Sequence, residues 1–274
     1  MPITRVAGQS LFYQDCGKGF PVVLAHGYLW NSHMWAPQIA ALSQSYRVVV
    51  PDLWGHGQSG PLPSNTQSFV DISAQMTAFL DSLGIEQCAI VGLSVGGMWS
   101  AELALTDPNR VRALILMDTD LGLEPNFSRR RYLQMLDHIG NSGSIPLQML
   151  DAIVPLFFRI GGPRDTNLAT AFRRKLSAFS SSQLRDSIGP LGKIIFGRPE
   201  ANHRLSKLDP TRTLVMCGSE DRVRPPAETV HMAQIIGCQY VLVPGAGHIS
   251  NLENPAFVSS TIYDWFSRQL PNFT

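Results

Sequence analysis

The residues Gly92-Leu93-Ser94-Val95-Gly96 match the pattern G-x-S-x-G. An apolar run, Cys88 to Val91, precedes them, and a helical pattern, Gly97 to Leu105, follows. A serine on a sharp strand-to-helix turn is strained and needs minimal neighbouring side chains. The helix N-terminus behind it offers N–H groups and a positive dipole end. A serine hydroxyl needs a base, and the base needs an orienting acid. Of seven histidines, His248 follows a strand pattern in Gly245-Ala246-Gly247-His248 and precedes the last helix. Two carboxylates also follow strand patterns: Asp221 in Cys217-Gly218-Ser219-Glu220-Asp221, and Asp118 in Leu116-Met117-Asp118. The chain order Ser94, Asp221, His248 is a known solution for such a triad and favours Asp221, with Asp118 the alternative. His26, before Gly27, reads as an organiser of its loop, and His56, in Gly55-His56-Gly57, as a residue that satisfies a turn. His33, His138, His203 and His231 have no companion motif.

These groups need a scaffold that brings distant loops together. Short apolar runs at Pro21–Ala25, Arg47–Val50, Cys88–Val91, Val111–Met117, Thr213–Cys217 and Gln239–Val243 read as strands covered on both faces. Between them, Phe69, Ile72, Met76, Phe79, Leu80 and Leu83 fall at helical spacing, with Gly84 as the stop. Pro255 can open a last helix carrying Phe257, Val258, Ile262, Trp265 and Phe266. Alternation of this kind predicts an α/β fold with a mostly parallel central sheet and helices on both faces. It breaks between Leu123 and Leu208, where helical periodicity persists without strand-like runs. Leu147, Leu150, Ile153, Val154, Phe157 and Phe158 form one stripe, closed by Gly161-Gly162-Pro163; Phe172, Leu176 and Phe179 form another. The division expected is a core of residues 1–122 and 209–274, with a helical lid insertion at 123–208.

With these pieces in place, the chain resembles the α/β-hydrolase fold enzymes. The matching segments are the His26-Gly27 loop, Pro51-Asp52-Leu53-Trp54-Gly55-His56-Gly57-Gln58-Ser59, the turn at Ser94, the post-strand Asp221, and Gly-x-Gly-His248. Trp54 stands where that turn often carries Arg. Within the family, the cofactor-free ester and lactone hydrolases, including enol-lactone hydrolases, are the most similar branch. The resemblance implies an oxyanion hole made by the backbone N–H groups of Tyr28 and Val95. It also implies a small carboxylic ester or lactone as substrate, attacked by Ser94 with His248 as base and Asp221 as its partner. Epoxide hydrolases and haloalkane dehalogenases of this fold use Asp where this chain has Ser94. Two alternatives keep the site: carbon–carbon bond hydrolysis or perhydrolase chemistry with the same triad, and a receptor that binds a small ligand without turnover.

Composition is compatible with this reading. The 274 residues are 44% hydrophobic and 16% charged, with mean hydropathy +0.02, enough for a sizeable core. Lys+Arg 22 against Asp+Glu 21 leaves a net charge of +1, which argues against a nucleic-acid or anionic-membrane surface as the main business. No apolar stretch is long enough for a transmembrane helix, and a cytoplasmic location is expected. No His or Cys pair shows metal-ligand spacing and no G-x-G-x-x-G follows a strand, so neither a metal nor a cofactor is expected. Cys16, Cys88, Cys217 and Cys238 lack C-x-x-C spacing and read as reduced. Arg129-Arg130-Arg131 and Arg173-Arg174-Lys175 read as solvated helix faces, or else as attraction for an anionic substrate. Trp30, Trp99, Phe157 and Phe158 are the candidate substrate-binding residues, and Met98 reads as packing.

Overall fold

A computed structural model describes residues 2–161 and 167–270. Its strands form one eight-stranded sheet in the order β1-β2-β4-β3-β5-β6-β7-β8. The strands are β1 Ile3–Val6, β2 Gln9–Cys16, β3 Pro21–Ala25, β4 Arg47–Pro51, β5 Cys88–Leu93, β6 Val111–Met117, β7 Thr213–Gly218 and β8 Gln239–Val243. From β4 onward in that order every neighbouring pair is parallel; β1 and β2 add an antiparallel hairpin at one edge. The six expected strands are all present. The hairpin was not expected: Gln9, Ser10 and Gln14 interrupt its apolar run, and its turn is made by Ala7 and Gly8, both at positive φ.

The central strands β5 and β7 are buried along their whole length, as a sheet covered on both faces requires. The covering helices are α1 Ala36–Leu42, α2 Phe69–Ser82, α3 Val95–Thr106, α9 Pro226–Ile236, α10 Ser250–Glu253 and α11 Pro255–Gln269. Ser68 caps α2 by accepting from Asp71 N, and α2 turns Ile72, Met76, Phe79 and Leu80 inward. Pro255 at the start of α11 and the inward Val258, Ile262, Trp265 and Phe266 follow the same logic. All four cysteines are free thiols. Among the described residues no helix is long and apolar enough to cross a membrane.

Between β6 and β7 the chain is helical: α4 Asn126–Ser142, α5 Leu147–Ile153, α6 Asn167–Ser177, α7 Ser181–Gln183 running into a π-helical turn at Leu184–Ile188, and α8 Gly189–Gly197. The stripe from Leu147 to Phe158 is not one helix. α5 ends at Ile153 and a 3₁₀ turn follows over Val154–Phe157. Pro155 explains the break, since it offers no N–H to the helical ladder and crowds the preceding turn. Gly162 and Pro163 lie outside the described residues.

Candidate active site

Ser94 lies at the joint between β5 and α3, at φ 54° and ψ −118°. Few side chains occupy that region, and it persists only where surrounding structure holds it. Two glycines make the turn possible. A Cβ on Gly96 would lie 2.2 Å from the Ala25 carbonyl oxygen, and one on Gly92 would meet Gly96 and Gly97 backbone at 2.6 Å. The turn is fixed from β6: Ser94 N–H donates to Met117 O at 2.9 Å, and Thr119 Oγ1 donates to Ser94 O at 2.8 Å.

His248 sits in the loop between β8 and α10, and Asp221 in the loop after β7; both are buried. The structure brings them together, His248 Nδ1 to Asp221 Oδ2 at 2.8 Å. The other carboxylate oxygen, Oδ1, accepts the N–H groups of Val223 and Arg224 at 2.8 and 3.0 Å. Asp221 is therefore clamped, and it engages Nδ1 so that Nε2 is the imidazole nitrogen left for other partners.

The alternative acid, Asp118, lies in the same buried cluster without a bond to His248. Its Oδ1 accepts from Gly218 N at 2.7 Å and its Oδ2 from Ser250 Oγ at 2.6 Å. Burial first, and then the neighbouring Asp221, push its carboxyl well above the usual carboxylate range. Asp118, Cys217 and Asp221 have possible ligand atoms within 4.8 Å of one another. The carboxylate oxygens are already committed to protein partners, and burial pushes the Cys217 thiol far up, away from the thiolate a metal would need.

The backbone N–H groups of Tyr28 and Val95 have no bond among the described residues. Val95 opens α3, so its N–H has no intrahelical acceptor. In the loop after β3, Leu29 N–H donates to His56 Nε2 at 3.0 Å and Trp30 N–H to Gly27 O at 3.1 Å, leaving Tyr28 N–H as the neighbouring donor without a bond among the described residues. A Cβ on Gly27 would lie 3.5 Å from Ser94 Cβ, so the loop runs directly past the serine. His26 and His56 hold this loop. His26 Nδ1 bonds Gly27 O and Nε2 accepts from Leu53 N; His56 Nδ1 bonds Trp54 O. Burial pushes both imidazoles down to about 3, keeping them neutral, and His56 is lowered further by its neighbour His26.

The aromatic candidates separate. Phe157 packs at 5.4 Å from His248 and lines an apolar cavity of about 90 Å³ with Tyr28, Leu136, Ile139, Leu176 and Phe196. Trp30 stacks on Phe172 at 4.3 Å and meets Phe157 at 6.5 Å. Trp99 is 1% exposed inside the core, and neither it nor Phe158 lines that cavity. Phe158 instead lies under the His248 loop, where a Cβ on Gly247 would strike its carbonyl carbon at 2.5 Å. Two features escaped the sequence reading. Leu29 holds φ 69°, which no residue-type signal announces. Lys175 belongs to a cluster read as solvated, yet its Nζ is buried against Trp30, 5.8 Å from the ring centre.

The alpha/beta hydrolase fold family matches residues 21–255, and the chain belongs to it. It is similar to the 2-hydroxymuconate semialdehyde hydrolase of Pseudomonas sp. (strain CF600), 27% identical over 95% of this chain and 92% of that protein. It is also similar to 3-oxoadipate enol-lactonase 1 of Acinetobacter baylyi, 26% identical over 92% and 91%. A thermophilic esterase from Thermogutta terrifontis has the same fold, with TM-score 0.85, 24% identity, and coverage of 98% of this chain and 99% of that one. Kinship with these enzymes supports a hydrolase.

Proposed function

We propose that the protein is a serine hydrolase that cleaves a small carboxylic ester or lactone through an acyl-enzyme on Ser94. The observation that carries this reading is the buried His248 Nδ1–Asp221 Oδ2 contact of 2.8 Å, at the same end of the sheet as a serine held at positive φ. In this mechanism Ser94 Oγ attacks the carbonyl carbon while His248 Nε2 takes its proton. Asp221 holds the imidazole in that tautomer and stabilises its cation. The carbonyl oxygen, now an alkoxide, receives the N–H groups of Val95 and Tyr28. His248 returns the proton to the leaving alcohol, then activates a water that releases the acid. Residues 123–208 serve as a lid, with Phe157 as an apolar wall beside His248.

The test is labelling with a fluorophosphonate, followed by graded p-nitrophenyl esters, lactones and a ring-fission diketone. Labelling at Ser94, lost in Ser94→Ala, with ester or lactone turnover is the expected result. A labelled enzyme that cleaves only the diketone would move the reaction to carbon–carbon bonds. Tight ligand binding without turnover would make the protein a receptor.

A further inference from the structure

We propose that Lys175 is the anchor for a carboxylate carried by the acyl part of the substrate, so that the preferred ester or lactone is anionic. This inference deepens the serine-hydrolase reading and rests on it.

Lys175 lies in the last turn of α6, and its Nζ is buried with no hydrogen-bond partner among the described residues. Its neighbour Arg173 has a partner, Asp151 at 2.6 Å. Lys175 turns inward instead and approaches Trp30 at the outer limit of a cation–π contact, which supplies no acceptor for its N–H groups. The polar groups around it are already engaged. Asp52 accepts from Ser32 N and Gln58 N, and both nitrogens of His26 and of His56 are bonded to backbone. Burial lowers Lys175 to about 8, with Asp52 pulling it partly back, so the cation persists at neutral pH.

Beside Lys175, Trp30 Nε1 is also buried without a partner among the described residues. Buried N–H groups without an acceptor are costly for a folded chain. An anion supplies acceptors, and a carboxylate matches the ammonium. The location fits a substrate: Trp30 touches Phe157, Phe157 touches His248, and Leu176, next to Lys175, lines the apolar cavity. Lys175 and Trp30 do not line that cavity themselves; the proposed acyl chain runs from Ser94 past Phe157, and its carboxylate reaches Lys175 through the Trp30–Phe157 wall.

The experiment compares p-nitrophenyl pentanoate with mono-p-nitrophenyl glutarate, which share acyl length and differ by one carboxylate. Wild type is expected to prefer the glutarate ester. Lys175→Met should lower kcat/KM for it about 10- to 100-fold, mainly through KM, the weight of one charge-assisted hydrogen bond. The pentanoate ester should change less than about threefold, because only the carboxylate contact is removed. Lys175→Arg should keep part of the preference. Thermal melts of Lys175→Met and Lys175→Arg beside wild type separate lost anchoring from lost folding. Equal losses on both esters in folded Lys175→Met, or no preference in wild type, would overturn the assignment. Calorimetric binding of free glutarate, present in wild type and lost in Lys175→Met, tests the anchor without any turnover. A failure of Ser94 labelling would remove the serine reading and leave that binding result to stand or fall alone.

Discussion

Asp221→Asn is the sharpest perturbation of the proposed mechanism, because the neighbours of Asp221 dictate how the amide must sit. Oδ1 accepts two backbone N–H groups, from Val223 and Arg224, while Oδ2 faces His248 Nδ1. An asparagine keeps its oxygen toward the two N–H donors; the flipped amide would set NH₂ against both of them. The NH₂ then faces His248 and forces Nδ1 to accept, which places the proton on Nε2 and removes the base. A substitution with this outcome costs about 10⁴-fold in kcat, or about 5.5 kcal/mol of barrier. Asp118→Asn provides the contrast. Its oxygen can still accept from Gly218 N, and its NH₂ can donate to Ser250 Oγ, a hydroxyl able to accept. Its activity should remain within about tenfold of wild type, since neither bond reaches the imidazole. The assay is kcat on a neutral p-nitrophenyl ester, with thermal melts to show that both variants fold. An Asp118→Asn loss equal to that of Asp221→Asn, or an Asp221→Asn enzyme within tenfold of wild type, would refute the argument.

Ser94→Gly should abolish fluorophosphonate labelling and raise stability by about 1–2 kcal/mol, because glycine relieves the φ 54°, ψ −118° backbone; a denaturant titration reads it. Phe157→Ala should shift the preferred acyl length while Ser94 still reacts with a small phosphonate, and Phe158→Ala, away from the cavity, should leave the length profile unchanged; an ester series of graded length decides. Stability should fall as pH drops from about 6.5 toward 3. His26 and His56 have folded values near 3, so below their unfolded value the unfolded chain binds the protons and is favoured. Asp118, raised in the fold, acts in the opposite sense and offsets part of this loss. Melts across that window measure the balance, and replacing His56 by Gln should flatten it.

The sheet was legible because its strands carry their own signal. Val22 to Ala25 and Ala89 to Val91 are apolar on both faces and are doubly covered. Gln239–Val243 reads the same way, but β8 is an edge strand that leaves Tyr240 and Leu242 exposed. The β1–β2 hairpin was hidden because an edge strand needs only one buried face, and Gln9, Ser10 and Gln14 blur it. Ser94, His248 and Asp221 could be singled out because each sits at a strand end in a fixed order. What sequence could not show was the direction of side chains. Lys175 and Arg173 belong to one basic run, yet one faces Trp30 and the other Asp151. Trp99, five residues after the serine, looked as suited to a pocket wall as Trp30, but α3 turns it into the core. Such choices depend on packing across elements distant in sequence, which a periodic pattern does not record.

The seam between the helical insertion and the sheet domain limits how such enzymes can be recombined. Tyr28 Oη donates to Ile188 O at 2.6 Å, and Leu62 N–H to Ser187 Oγ at 3.0 Å. On the other side, Ile249 N–H donates to Phe157 O at 3.3 Å, and Glu253 accepts from both Arg159 N and Gly247 N. Arg222, beside Asp221, donates to Pro155 O. Loops flanking Tyr28, Asp221 and His248 are thus each stitched to the insertion. A chimera that exchanged only residues 123–208 would have to present Pro155 O, Phe157 O, Arg159 N, Ser187 Oγ and Ile188 O in the same places to keep these stitches. The transferable cassette is larger than the continuous segment: it includes the turn after β3, the loop after β7 and the stretch from Gly247 to Glu253. Changes that shift the insertion's backbone therefore call for matching changes in Tyr28, Arg222 and Glu253 on the other side of the seam.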